Sequence, residues 1–153
     1  MSDRTTEVTV RARFETAHRL PQLAGKCLNL HGHSWQAWVT LTGPVDPNTG
    51  VLVDFSAIKA AIQDWIDAQF DHATMLGAAD SLLGAFIAYD LKHFVFDEHP
   101  HALGLRWPTV ENVAEVIRRV AVDAAAGLPG VVVSRVEVAE TENNRATASL
   151  EGP

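Results

Sequence analysis

Residues 31–42 read HGHSWQAWVTLT, and the second half of that stretch decides how the chain folds around the first. Trp35, Ala37, Val39 and Leu41 recur at every second position, so 34–42 is expected to be a strand with those four side chains turned inward. An earlier segment has the same period. Over residues 8–16, Val8, Val10, Ala12 and Phe14 share one face, while Thr9, Arg11, Arg13 and Glu15 share the other. Two such strands separated by a loop form a hairpin with one wet face and one buried face. After GPVDPNTG (43–50), dense in turn formers, the period changes. Phe55, Ile58, Ile62, Trp65 and Ile66 fall on one helical stripe, with Asp54 placed to cap it. A second helix opens at PTVENVAEVIRRV, where Thr109 can cap, Glu111 suits the positive end of the dipole and Gly127 stops the run. VVVSRVEVAE and RATASL then supply two more strands around an Asn-Asn turn. Helices between two hairpins predict an α+β fold, an antiparallel sheet with helices on one face. Residues 77–107 are the least regular part and are expected to hold a short helix and a loop.

Bulk properties narrow the setting. A chain of 153 residues is expected to form one domain over 1–153 and has the length to bury a core. Its net charge of −7 offers no basic surface for nucleic acid. No apolar run approaches the ~18 residues of a membrane span, and MSDRTTEVTVRARF lacks the apolar core of a leader peptide. The lone cysteine cannot found a disulfide framework and fits a reducing cytoplasm.

The chemistry gathers just before the second strand, in CLNLHGH (27–33). His31 and His33 stand at i and i+2. In extended chain both leave on the same side, about 6–7 Å apart along the backbone. That suits two imidazoles converging on one cation. His18, in FETAHRLP at the end of the first strand, would lie opposite them once the hairpin pairs. Three imidazoles with an open position make a catalytic zinc site, and four protein ligands make a closed structural one. Chance pairing on a polar loop is the bland reading, and His99-Pro100-His101 shows that the pattern recurs. Its proline and irregular setting place it in a solvated loop, outside the metal set.

Cys27 has three readings: a buried inert thiol, a fourth ligand, or an acid–base group acting as thiolate beside a cation. Asp71-His72 closes the first helix. Either His72 merely complements the helix C-terminus and Asp71 is a solvated charge, or the pair is a proton shuttle working near neutral pH. Glu140 continues the phase of Val132, Ser134, Val136 and Val138, and so follows the apolar face. There its carboxylate would accept two parallel N–H donors from a heterocycle edge, unless the strand has already emerged into water.

In order, FETAHRLP, KCLNLHGHSW, VDPNTGVLVDF, FDH, PTVENVAEVI and VEVAET resemble the 6-pyruvoyl-tetrahydropterin synthase/6-carboxytetrahydropterin synthase family. The likeness runs from about residue 12 to residue 143 and is interrupted by 77–107. It implies the T-fold (tunnelling fold): a four-stranded antiparallel sheet with two helices on one face, in the order ββααββ. Such subunits assemble into barrels, as a homohexamer of two trimers with active sites at the interfaces. By that resemblance His18, His31 and His33 hold Zn2+, and Cys27 is the proton-abstracting thiolate, assisted by Asp71 and His72. Glu140 anchors the aminopyrimidine edge of the pterin, with Thr109 near the ring. The implied substrate is 7,8-dihydroneopterin triphosphate. C-x3-H-G-H and AHRLP resemble the carboxy-forming bacterial branch, which serves queuosine and other 7-deazapurines, whereas ETENN and TVENVA echo the pyruvoyl branch. Two rival classes make different demands. A three-histidine zinc hydrolase has no need of Cys27 or Glu140, and a pterin-binding module has no need of Cys27, Asp71 and His72.

Overall fold

The computed structural model describes residues 4–150. Strands β1 (Thr5–His18) and β2 (His31–Pro44) pair antiparallel along their whole length, from Thr5 opposite Pro44 to His18 opposite His31. The alternation in both segments is the cause. Val10, Ala12 and Phe14 of β1 and Trp35, Ala37, Val39 and Leu41 of β2 are buried on one face, while Arg11, Arg13 and Glu15 face water. Strand β5 (Val132–Ala139) adds to the far side of β2 and β6 (Arg145–Ser149) to β5, both antiparallel.

The expected four antiparallel strands are present, but the sheet continues beyond them. Strand β3 (Ala73–Gly77) runs parallel to the end of β1, and β4 (His93–Phe96) runs parallel to β3. The result is a mixed six-stranded sheet in the order β4-β3-β1-β2-β5-β6. Neither added strand has a sequence signature. Every residue of β3 is buried, so its apolar and polar positions do not alternate, and β4 is only four residues long.

Helix α1 (Phe55–Gln69) is capped by Asp54, whose Oδ1 accepts from the Ser56 N–H at 2.8 Å. It buries Ile58, Ile62 and Ile66, whereas Phe55, read as part of the stripe, is 52% exposed. Helix α3 (Val110–Ala125) starts at Thr109, whose hydroxyl accepts from the Asn112 N–H, and it buries Val113, Val116 and Ile117. Both helices share one apolar core with the inward side chains of β1, β2 and β5. A third helix, α2 (Leu83–Ala88), has no buried residue. The observed order is therefore ββαβαβαββ. No helix among the described residues is long and apolar enough to cross a membrane.

Three local expectations are corrected. Residues 77–107 contain β4 and a single 3-10 turn at Pro100–Ala102 besides the short helix. His99 and His101 do not stand in a solvated loop: both rings meet Trp65 edge-on, and His101 Nε2 lies 2.7 Å from Asp123 Oδ2. In β5, the register shifts between Thr40 and Leu41, which pair with Arg135 and Val133 and leave Ser134 bulged out. The Ser134 hydroxyl donates to the Thr40 carbonyl. One extra residue flips the phase, so Val133 rather than Val132 is buried. Beyond the bulge, Val136, Val138 and Glu140 keep the inward phase, which delivers the Glu140 carboxylate to the end of the core.

Candidate metal centre

The long hairpin ends at His18 and His31, directly opposite each other, with His33 opposite Thr16. All three side chains point to the helix-covered face, continuing the rows that end in Phe14 and Trp35. Their ring centroids are 4.7, 5.2 and 4.9 Å apart. Among the described residues they form the one group of His, Cys, Asp or Glu whose ligand atoms all lie within 4.8 Å of one another. The i, i+2 spacing and the hairpin register thus bring together the three residues read from sequence.

Hydrogen bonds decide which nitrogens remain open. His18 is 1% exposed, and its Nδ1 lies 2.7 Å from the Pro108 carbonyl. His31 Nδ1 lies 2.7 Å from the Asn29 carbonyl. A carbonyl only accepts, so both Nδ1 atoms carry the proton and both Nε2 atoms present a lone pair. His18 Nε2 and His33 Nε2 are buried with no hydrogen-bond partner. Buried polar atoms are normally paired, so two imidazole nitrogens without a hydrogen-bond partner and facing one point fit a cation-binding site. Three neutral imidazoles suit a divalent transition-metal ion rather than an oxygen-seeking one such as Ca2+ or Mg2+.

Burial pushes the His18 pKa from 6.5 down to about 4; the Pro108 hydrogen bond pulls upward, and the neighbouring imidazoles push further down. His33 is lowered as well, chiefly by burial, with Glu140 pulling the other way. The sign follows. Between about 4 and 6.5 the unfolded chain binds a proton at His18 that the folded chain does not. Stability of the metal-free protein is therefore expected to fall as pH drops from 6.5 to about 4, by roughly 3 kcal/mol at most from this residue. Urea titrations across that range check it. A flat profile in the parent, or an equal slope in His18→Gln, would contradict the assignment.

The other candidates divide into two groups. Glu140 Oε2 lies 3.8 Å from His18 Nε2, too long for a hydrogen bond, and its side chain is 20% exposed. It is neither wet nor paired, and it faces the histidines. Thr109 caps α3 one residue beyond Pro108, so the helix start abuts the centre. Asp71 Oδ1 accepts from the Glu15 N–H at 2.8 Å, and Asp71 Oδ2 lies 3.5 Å from His72 Nε2. His72 has φ 55°, a left-handed conformation that turns its ring outward, and 79% of the side chain is exposed. His72 and His33 line one cavity of about 360 Å3 with Glu15, Thr16, Gly32 and Ser34. Cys27 is exposed in a 3-10 turn (Lys26–Leu28), tied down only through its carbonyl, which accepts from the Leu20 N–H. Among the described residues it is outside the metal group, and no hydrogen bond or ion pair joins it to Asp71 or His72.

The chain matches the family described as 6-pyruvoyl tetrahydropterin synthase over residues 7–151. The chain belongs to this family. A 6-carboxy-5,6,7,8-tetrahydropterin synthase of Synechocystis is 33% identical over 132 residues, 84% of this chain and 81% of that protein. A probable 6-carboxy-5,6,7,8-tetrahydropterin synthase of Halobacterium salinarum is 35% identical over 131 residues, 84% of this chain and 77% of its own. The structure of the Caenorhabditis elegans 6-pyruvoyl tetrahydropterin synthase superposes with a TM-score of 0.69 at 23% identity, covering 97% of each chain. The fold is the T-fold of the family's members, here with six strands.

The structure of this pterin-synthase family member also shows what its sequence concealed. The Pro108 carbonyl that orients His18 is a backbone group, and no residue type announces it. Asp80 is buried, and its two carboxylate oxygens share the Arg19 Nε–H at 2.9 and 3.2 Å, which ties the start of 77–107 to the residue beside His18. An Arg and an Asp separated by 61 positions carry no sequence signal of pairing.

Proposed function

We propose that the chain is a zinc-dependent lyase converting 7,8-dihydroneopterin triphosphate and one water to 6-carboxy-5,6,7,8-tetrahydropterin, with release of triphosphate and acetaldehyde. The observation that carries the reading is the convergence of His18, His31 and His33 with two orphaned Nε2 atoms. The names of the relatives support the carboxy product. A 6-pyruvoyl product is the alternative, in line with ETENN and TVENVA. The reaction would serve 7-deazapurine synthesis in the cytoplasm, from one domain assembled as a homohexamer.

Bound at the three histidines, Zn2+ would supply Lewis acidity toward oxygen atoms of the substrate side chain. The protein groups have separate tasks. Cys27, exposed at the loop tip, would remove a side-chain proton as thiolate. Asp71, held by the Glu15 N–H, would orient His72, which would return a proton to the substrate side chain. Glu140, half-buried and unpaired, would accept the two N–H donors of the aminopyrimidine edge, with Thr109 at the rim. Incubation of the zinc-loaded protein with dihydroneopterin triphosphate, followed by mass spectrometry, tests the reaction. Neither pterin product appearing would refute it while leaving fold and metal untouched.

Glu140→Gln replaces half of a bidentate acceptor by a donor. Pterin affinity is expected to fall by about 1–3 kcal/mol, roughly 5- to 150-fold, with zinc content unchanged. Glu111, exposed in the first turn of α3 and three residues beyond Pro108, is the comparison carboxylate. Calorimetric titration of Glu140→Gln beside Glu111→Gln assigns the anchor. Unchanged affinity in Glu140→Gln with a loss in Glu111→Gln would move the base-recognition role to α3.

A further inference from the structure

We infer that Asn112 is a positioning residue of the metal centre, bracing the Trp107–Thr109 turn so that the Pro108 carbonyl keeps the His18 proton on Nδ1 and leaves Nε2 to the cation. The inference deepens the metal reading above and rests on it for its consequence.

Three observations converge on that turn. First, Pro108 is buried, and its carbonyl is the sole hydrogen-bond partner of the His18 ring, across 90 positions of sequence. His31, by contrast, is oriented by Asn29, two residues away in its own segment. Second, Asn112 grips the turn from both ends. Its Nδ2 donates to the Trp107 carbonyl at 2.8 Å, and its backbone N–H donates to the Thr109 hydroxyl at 3.2 Å. The Trp107 carbonyl also accepts from the Thr109 N–H at 2.9 Å, so the residues on either side of Pro108 are locked together. Third, the turn is backed by the sheet. A Cβ placed on Gly77, the last residue of β3, would lie 2.6 Å from Trp107 Cε3 and 2.7 Å from the Arg106 carbonyl. Glycine at 77 therefore lets Trp107 lie flat against the strand.

The physical logic is that of a ligand held by its outer partner. An imidazole whose Nδ1–H is fixed in a hydrogen bond has one tautomer and one ring orientation, so its Nε2 lone pair is preset. Proline at 108 has no N–H to add to the turn, so the position of its carbonyl depends on the flanking residues. Among the described residues, Asn112 supplies the side-chain donor that reaches them. A proton that moved to Nε2 would close one of the three ligand positions.

The test uses the full-length chain. Ring nitrogen NMR of the metal-free protein reads the His18 tautomer directly, and chelator competition reads zinc affinity. The parent is expected to hold His18 as the Nδ1–H tautomer. Asn112→Ala deletes the Nδ2 donor, and Asn112→Asp keeps the shape while setting an acceptor against the Trp107 carbonyl. Either folded variant is expected to mix the tautomers and weaken zinc binding about 10- to 100-fold. Asn112→Asp serves if Asn112→Ala fails to fold. A purely structural asparagine would lower the melting temperature without moving the tautomer or the zinc affinity, and that result in either variant overturns the inference. A parent that binds no zinc would refute the metal reading, and the tautomer comparison would still decide whether Asn112 positions His18.

Discussion

His31→Ala is expected to reduce bound zinc from about one per chain to almost none, while Cys27→Ala keeps its metal. His31 Nε2 is one of three converging nitrogens, and Cys27 is outside the group whose ligand atoms approach within 4.8 Å. Two imidazoles offer too few donors to hold the ion against solvent and chelators. Elemental analysis of the purified variants reads the outcome, and circular dichroism confirms that each has folded. Loss of metal from Cys27→Ala would mean that the 3-10 turn swings its sulfur onto the ion, making a closed site of one cysteine and three histidines. The lyase assignment would then lose its open coordination position.

The second large effect is on turnover. Cys27→Ala and His72→Ala are each expected to lose activity by about 100-fold or more, the usual weight of a positioned acid–base group. Co-expression of the two variants should restore part of it. Among the described residues, no hydrogen bond or ion pair links Cys27 to Asp71 or His72. In an assembly the pair would come from different subunits. The sheet has two edges, β4 and β6, each exposing backbone N–H and C=O groups that pairing with a neighbouring chain would satisfy. Hybrid oligomers would contain some intact sites, with wild-type Cys27 from one chain and wild-type His72 from the next. Differently tagged chains, copurified and assayed for the carboxy product, test this. A strictly monomeric protein, or copurified hybrids without activity, would sink the shared site.

Much of this molecule was legible because its signals are local. Alternation in 8–16 and 34–42 set the inward faces of β1 and β2, since side chains on a strand alternate whatever surrounds it. Capping by Asp54 and Thr109 was legible for the same reason: the cap bonds backbone two or three residues away. The same faces placed His18, His31 and His33 on one side, so their convergence followed from hairpin pairing. Where local rules were interrupted, the reading slipped. The bulge at Ser134 reversed the phase of β5 upstream of it, which exposes Val132 and buries Val133. Glu140 stayed inward because it lies after the bulge.

What only the tertiary structure decided involves partners distant in the chain. Strand β3 is buried on both faces and pairs parallel to β1, so its residues obey no period. His99 and His101 looked like solvated loop residues, yet the fold seats them on Trp65 of α1 and beside Asp123 of α3. The tautomer of His18 depends on the carbonyl of Pro108, a group that every residue possesses. Sequence by itself determined the antiparallel hairpins, the two capped helices and the identity of the three converging imidazoles, because period and cap are properties of neighbouring residues. The sheet's parallel extension, the seating of the 77–107 segment and the orientation of the first histidine were decided by contacts between residues 19 to 90 positions apart, through buried faces and backbone groups that leave no mark in residue type.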